Sequence, residues 1–398
     1  MKTKARHKIV YKFVRPIMKR ILKKKYNFTY EACDLKPPFL VFANHTTDFD
    51  PFFIAFSFKC PIYFVMSDHV SSLKAGKLIK YLVSPIPITK SSTDAETVRN
   101  VFSCVKQGGA VGIFPEGNKS FAGEMSWIKP STVKLVKKLN IPVVVYSIEG
   151  GYFSMPRWSK NKRKGHIHGF PKIILTPEEI QKMNNDELYE LIVNALRVNA
   201  YEKQEENKVR FVGEDKASNI EALLYTCPNC GSISSIYGEG DDVLCKNCDL
   251  HAVYNDFGYL ENVKNCKFER LDKWDAWQKE NLKNLDISSL PDDHIFFEDK
   301  SWEVQKKISK YKSEVLGTFT SVLTKAKLYL KNEDEKSAEN KIVEINLFDI
   351  AGTAIEGTCG VQIWTKNGDV YRLKNGLHVS GLKYVNYIHH IIGKEYKF

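Results

Sequence analysis

Residues Pro38–Phe58 read PFLVFANHTTDFDPFFIAFSF. Phe39 to Ala43 is an unbroken apolar run, short for a helix and suited to a strand buried on both faces. It stops at Asn44-His45. An apolar segment resumes at Pro51, and because proline favours the first helical position, Asp50 stands where an N-cap belongs. The stretch predicts strand, turn and helix, the repeating unit of an α/β fold. It also sets His45 and Asp50 at the two ends of one turn, with four residues between them. A carboxylate that fixes the tautomer of an imidazole makes that ring a positioned base. Taken alone, the H-x4-D spacing arises easily by chance, and a helix cap beside a loop histidine explains it as well.

Outward from this stretch, Pro61–Met66 predicts a second strand, and Val83–Thr89 a short, proline-interrupted third that ends at Lys90. A helix from about Asp94 to Gln107 follows, capped by Ser92 or Thr93 and closed by Gly108-Gly109. Ala110–Phe114 is a compact buried strand running into Pro115-Glu116-Gly117-Asn118-Lys119-Ser120. A loop of that chemistry at the carboxyl end of a strand sits where open α/β sheets bind ligands. Lys134–Lys138 is helical, and Ile141–Ile148 (IPVVVYSI) is a wholly apolar strand. The helix carrying Leu188, Leu191, Ile192 and Leu196 closes a domain placed at residues 26–200.

Four blocks in this domain resemble those of the glycerolipid acyltransferases, the family of 1-acyl-glycerol-3-phosphate acyltransferases. Asn44-His45-Thr46-Thr47-Asp48-Phe49-Asp50 resembles the NHxxxxD block, and Phe114–Ser120 the FPEGTRS block. Ile86-Pro87-Ile88-Thr89-Lys90 resembles the block that ends in a phosphate-contacting arginine, and Ile141–Val145 the proline-led apolar strand. The resemblance spans roughly residues 35–200 and implies an acyltransferase-like mixed sheet flanked by helices. It implies that His45 is the general base and Asp50 its orienting partner, with Lys90, Glu116, Gly117, Asn118, Lys119 and Ser120 forming the acceptor site. The implied reaction moves an acyl group from acyl-CoA or acyl carrier protein to the free hydroxyl of a lysophospholipid. The simplest acceptor is 1-acyl-glycerol-3-phosphate, giving phosphatidic acid, and no redox or nucleotide cofactor is called for. The chain departs from the family in carrying lysine at 90 and 119 in place of arginine, and Asn118 in place of threonine. Lysine keeps the charge and loses the bidentate fork. Transfer to another lysolipid, or a non-catalytic lipid-binding scaffold on the same fold, remain open readings.

The formal charge of +12 looks like a nucleic-acid or membrane signature until it is located. Residues 1–25 hold eleven Lys/Arg and no acid, leaving 48 basic against 47 acidic residues elsewhere. Within them apolar pairs recur every four residues: Ile9-Val10, Phe13-Val14, Ile17-Met18 and Ile21-Leu22. This predicts a basic amphipathic helix, kinked at Pro16, suited to an anionic membrane surface. Packing of the apolar stripe on the protein's own core is the competing use. A second basic run, Arg157–Lys164, reads as a solvated loop after the last core strand, placed to meet coenzyme, carrier-protein or lipid charges. No apolar run approaches the ~18 residues of a membrane span, and the N-terminus lacks the features of a signal peptide. The expected location is the cytoplasmic face of a membrane, held peripherally.

Of nine cysteines, Cys227, Cys230, Cys245 and Cys248 form C-x2-C-x14-C-x2-C. Four thiolates in two knuckles close a tetrahedral zinc site with no open position, so a structural Zn2+ in a small ribbon over 223–262 is expected. Stray thiols elsewhere fit a reducing compartment. Glu239, Asp241 and Asp242 in the ribbon loop argue against a nucleic-acid partner. Residues 201–222 read as a charged connector, helical at least in part. Residues 268–398 predict a helix over Phe268–Leu285 and then alternating strands at Val315–Leu323, Ala326–Leu330, Lys341–Leu347, Gly360–Lys366 and Val370–Leu373. A closing helix, Gly381–Ile392, completes a mostly antiparallel β domain that resembles the pleckstrin-homology/GRAM architecture.

Overall fold

In the computed structural model, which describes residues 5–67, 84–88, 95–309, 312–334, 342–374 and 378–394, the run Leu40–Ala43 forms a strand with all four residues buried. Lys90 and the expected cap at Ser92 or Thr93 lie outside the described residues. Leu40–Ala43 is β2 of a seven-stranded sheet. Its companions are β1 (Phe28–Tyr30), β3 (Ile62–Ser67), β4 (Ile86–Ile88), β5 (Ala110–Ile113), β6 (Val143–Glu149) and β7 (Ile167–Leu175). The spatial order is β1-β7-β6-β2-β5-β3-β4. β2 pairs in parallel with β5 (Leu40↔Val111) and with β6 (Leu40↔Val143). β7 runs antiparallel to β6, so the sheet is mixed.

The apolar run is continuous because both faces of the sheet are covered. Leu40 and Phe42 pack on one face with Tyr63, Val111, Val143 and Val145. Val41 and Ala43 pack on the other with Phe53, Phe64, Val144 and Tyr146. Alternation of successive side chains across a strand assigns each residue to its layer.

Helix α1 (Ala5–Tyr26) is continuous through Pro16 and divides each apolar pair between two environments. Leu22 and Tyr26 are buried beside Phe28 and Phe53, with Met18 packed against them. Ile9, Phe13, Ile17 and Ile21 are each at least 50% exposed. Tyr11 and Arg15 fasten α1 to the end of α2 (Asp50–Ser57): the Tyr11 hydroxyl donates to the Phe58 carbonyl at 2.7 Å and the Arg15 guanidinium to that of Phe56 at 2.5 Å. These bonds satisfy carbonyls that the helix leaves without intrahelical partners. The core-packing use of the stripe is thus realised by its inward residues, Leu22 and Tyr26, while its outward residues are open to solvent.

Two compact units divide the chain: Met1–Pro156 with Lys162–Val212, and Arg157–Asn161 with Gly213–Lys397. The expected solvated loop over 157–164 is corrected. Trp158 is fully buried and Arg157 and Arg163 nearly so, while the intervening lysines stay exposed. Nor do residues 201–222 form a simple connector. The helical part is present as Ala200–Asn207, but Ala217, Ile220 and Ala222 are buried in the second unit.

The second unit holds two antiparallel sheets. The smaller comprises β8 (Ile236–Glu239), β9 (Asp242–Cys245), β10 (His251–Tyr254) and β11 (Leu260–Lys264). The larger has the order β15-β14-β13-β12-β18-β17-β16, from β12 (Ile295–Ser309), β13 (Lys312–Thr324), β14 (Lys327–Asn332), β15 (Ile342–Asn346), β16 (Ile350–Glu356), β17 (Gly360–Thr365) and β18 (Val370–Lys374). The helix Gly381–Ile391 packs against it, with Tyr384, Val385 and Ile388 buried. The boundaries expected around residue 262 fall inside this unit, because hydrogen bonds cross them. Gln278, on the helix Leu271–Lys283, accepts from Tyr225 N at 3.0 Å and donates to the Leu223 carbonyl at 2.8 Å. The buried Lys383 ammonium donates to Asp299 Oδ2 at 2.8 Å and also to Ser234 Oγ. Among the described residues, no helix is long and apolar enough to cross a membrane.

Candidate active site

β2 and β5 are adjacent parallel strands, so the turn after Ala43 and the loop after Ile113 leave the sheet on the same edge, at the carboxyl ends of the strands. Asn44 is tied to the neighbouring β6. Its amide donates to the Ile148 carbonyl at 2.9 Å and accepts from the Ile148 N–H at 2.8 Å. His45 therefore starts from a fixed backbone.

Asp50 is fully buried at the start of α2. It is the first helical residue; the flanking cap position falls to Phe49, whose side chain caps nothing. The Asp50 carboxylate instead reaches back into the turn. Oδ2 accepts from Thr46 N at 2.7 Å, Thr47 N at 2.9 Å and His45 Nδ1 at 2.8 Å, and Oδ1 from the Thr47 hydroxyl at 2.6 Å. With the carboxylate accepting from every neighbour, the His45 proton sits on Nδ1. Nε2 is left with its lone pair, on a side chain 21% exposed. This is the arrangement of a positioned general base. The Phe114 ring stacks on His45 at 4.1 Å and 18° and fixes the imidazole plane.

The loop after β5 holds the turn from the other side. Glu116 is buried, its Oε1 accepting from His45 N and its Oε2 from Ser126 N, each at 2.9 Å. Burial pushes the Glu116 carboxyl up to about 8, against the two N–H donors that pull it down. Gly117 has φ +71°, a conformation open to glycine at little cost. Ser120 is buried, its N–H donating to the His45 carbonyl at 2.9 Å and its hydroxyl accepting from Gly123 N at 2.9 Å. Lys119 reaches across to Asp48 Oδ1 at 2.8 Å. Of the six expected acceptor-site residues, Glu116 and Ser120 thus spend their polar atoms on backbone groups, those of His45 and of the loop residues Gly123 and Ser126. Asn118 and Lys119 remain partly accessible. A cleft beside His45 is lined by Thr46, Ser120, Glu149, Tyr152 and Lys203 among others.

Sequence reasoning gave no part to Thr47 or to the Phe114 ring. A threonine three residues before a carboxylate at a helix start is a recognisable side-chain to side-chain pairing. The stacking of Phe114 on His45 joins two loops and leaves no mark in local spacing.

Cys227, Cys230, Cys245 and Cys248 come together in the second unit, with one sulfur from each lying within 4.8 Å of the others. Cys227 Sγ and Cys248 Sγ are 3.7 Å apart, and Cys230 Sγ and Cys245 Sγ 3.8 Å. A tetrahedral ion with metal–sulfur bonds of about 2.3 Å separates its sulfurs by about 3.8 Å. The four residues fit one metal ion.

The family model described as Acyltransferase matches residues 21–149. A probable 1-acyl-sn-glycerol-3-phosphate acyltransferase of Mycoplasma genitalium is 27% identical over 144 residues, 34% of this chain and 52% of the relative. A 1-acyl-sn-glycerol-3-phosphate acyltransferase of Borreliella burgdorferi is 22% identical over 151 residues, 36% of this chain and 60% of the relative. The chain therefore spans little more than half the length of these curated relatives. The crystal structure of the 1-acyl-sn-glycerophosphate (LPA) acyltransferase PlsC from Thermotoga maritima aligns at 19% identity and a TM-score of 0.43, over 52% of this chain and 83% of that one.

Proposed function

We infer that this chain, whose residues 21–149 match the Acyltransferase family model, transfers a fatty acyl group from a thioester donor to the hydroxyl of a lysophospholipid. The observation that carries the reading is the 2.8 Å contact of His45 Nδ1 with a buried Asp50 that three further donors hold in place. His45 Nε2 takes the proton of the acceptor hydroxyl as its oxygen attacks the thioester carbonyl. The tetrahedral intermediate expels the thiolate, which receives the proton back from the imidazolium. Asp50 keeps the ring in register and stabilises its charged form. Glu116 acts through the His45 backbone as a positioning residue.

The acceptor that fits best is 1-acyl-glycerol-3-phosphate, with acyl-CoA or acyl carrier protein as donor and phosphatidic acid as product. Support comes from the names of the two curated relatives and from Lys119 beside the His45 turn. The exposed stripe Ile9, Phe13, Ile17 and Ile21 is flanked by Lys8, Lys12, Arg20 and Lys24, all exposed. It suits the interface of an anionic membrane, where such an acceptor resides. The four cysteines hold a structural Zn2+; among common ions, an all-sulfur tetrahedral site favours it. Purified protein offered a panel of lysolipids and acyl donors, with products read by mass, tests the assignment. A new diacyl product bearing a phosphate head group is the expected result, and no acyl transfer to any acceptor would remove it.

A further inference from the structure

Three lysines from separate parts of the first unit gather at the mouth of the His45 turn. Lys119 comes from the loop after β5, Lys25 from the last turn of α1 and Lys162 from the segment before β7. Lys119 Nζ pairs with Asp48 Oδ1 at 2.8 Å. Lys162 Nζ lies 5.0 Å from the centre of the Phe49 ring, inside the reach of a cation–π contact. Phe49 in turn lies 5.8 Å from Tyr26, whose ring has Lys25 Nζ at 5.6 Å. Asp48 and Phe49 belong to the same turn as His45 and Asp50. Burial and then the nearby Lys25 push the Lys162 ammonium below the usual lysine range; Asp48 opposes the shift and Lys119 adds to it.

The cluster thus sets Lys25, Lys119 and Asp48 around Lys162, three cations and one carboxylate, an excess of two positive charges on the His45 turn. Asp48 is 83% exposed, and an ion pair with so open a partner holds weakly and yields to a better anion. We propose that Lys25, Lys119 and Lys162 form the subsite for a phosphate dianion of the substrate, which displaces Asp48 from Lys119. The dianion balances the excess charge and relieves the repulsion among the lysines. Two of these lysines lie outside the sequence blocks that suggest the chemistry. The proposal rests on the acyl-transfer reading, and it names the residues that would select a phosphate-bearing substrate. That phosphate is either the monoester of the acceptor or a phosphate of a CoA donor.

Steady-state kinetics on the full chain separate these sources. One pair of acceptors is 1-acyl-glycerol-3-phosphate and the 1-acyl-glycerol lacking the phosphate; one pair of donors is acyl-CoA and acyl-pantetheine. Lys162→Ala and Lys25→Ala are expected to raise KM for the phosphate-bearing acceptor about tenfold or more relative to the phosphate-free one. Lys162→Arg should restore most of the loss, and Asp48→Asn should lower KM. Inorganic phosphate should compete with the acceptor in wild type and more weakly in the lysine variants. A selective rise in KM for acyl-CoA over acyl-pantetheine would support the subsite and assign its phosphate to the donor. Equal changes with and without phosphate on both substrates would overturn it. Titration of a short-chain lysophosphatidic acid into wild type and variants reads binding without turnover. A difference between them would uphold the subsite even if no acyl transfer were found, and equal affinities would overturn it.

Discussion

Phe114 lies flat against His45, ring centroids 4.1 Å apart, and is itself stacked on Phe64 at 5.7 Å. Gly112 makes room for this column, since a Cβ there would come within 2.4 Å of the Phe64 ring. Phe114→Ala should free the imidazole and lower kcat about tenfold or more, because small misplacements of a reacting group are costly. Gly112→Ala should produce the same defect from a distance, together with a lower Tm. Wild-type kcat in both variants would show that the column does not orient the base.

Glu116 supplies a pH dependence of stability. Its carboxyl titrates at about 8 in the fold against 4.5 for a free glutamate, so the folded state binds the proton more tightly. The resulting stabilisation is complete below about 4.5 and is lost as pH rises through about 8. Glu116→Gln removes the titration and leaves one backbone N–H facing an amide donor, at a cost of about 1–3 kcal/mol. The Tm advantage of wild type over the variant should therefore shrink between about pH 5 and about pH 8.5. Curves that stay parallel across that range would contradict the assignment.

The cysteine cluster predicts about one zinc per chain. Because Lys383 joins Ser234, between the two knuckles, to Asp299 on β12, removing the metal should loosen the larger sheet along with the ribbon. Chelation should lower the Tm of the second unit. Protein that purifies without metal and melts identically in chelator would rule this out.

Deleting α1 is a poor test of membrane binding, since Leu22 and Tyr26 are part of the core. Phe13→Glu with Ile17→Glu changes only the outward stripe. Binding to anionic vesicles should weaken about tenfold or more while turnover of a dispersed short-chain lysolipid survives. Unchanged vesicle binding would assign the stripe to some other partner.

Much of the first unit was legible because buried parallel strands announce themselves as apolar runs, as at β2, β5 and β6. β7 escaped: His168, Pro171 and Lys172 interrupt its pattern, and the register with β6 shifts where Pro171 meets Tyr146. A proline at such an irregularity costs the ladder little. β12 escaped for a related reason, its outward face carrying Glu298, Lys300 and Glu303. Apolar pairs four residues apart fit a helix in either orientation, so the split of α1 between core and surface depended on tertiary packing. At the site, the His45–Asp50 pair was local and readable. The convergence of Lys25, Lys119 and Asp48 on Lys162 joins segments far apart in the chain and could not be read from spacing.

The most direct test of the account is acyl transfer by purified, folded His45→Ala, with lysophosphatidic acid and acyl-CoA as substrates. The account predicts a fall in kcat of about a hundredfold to ten-thousandfold at a Tm close to that of wild type. Near-normal turnover by the folded variant would contradict it.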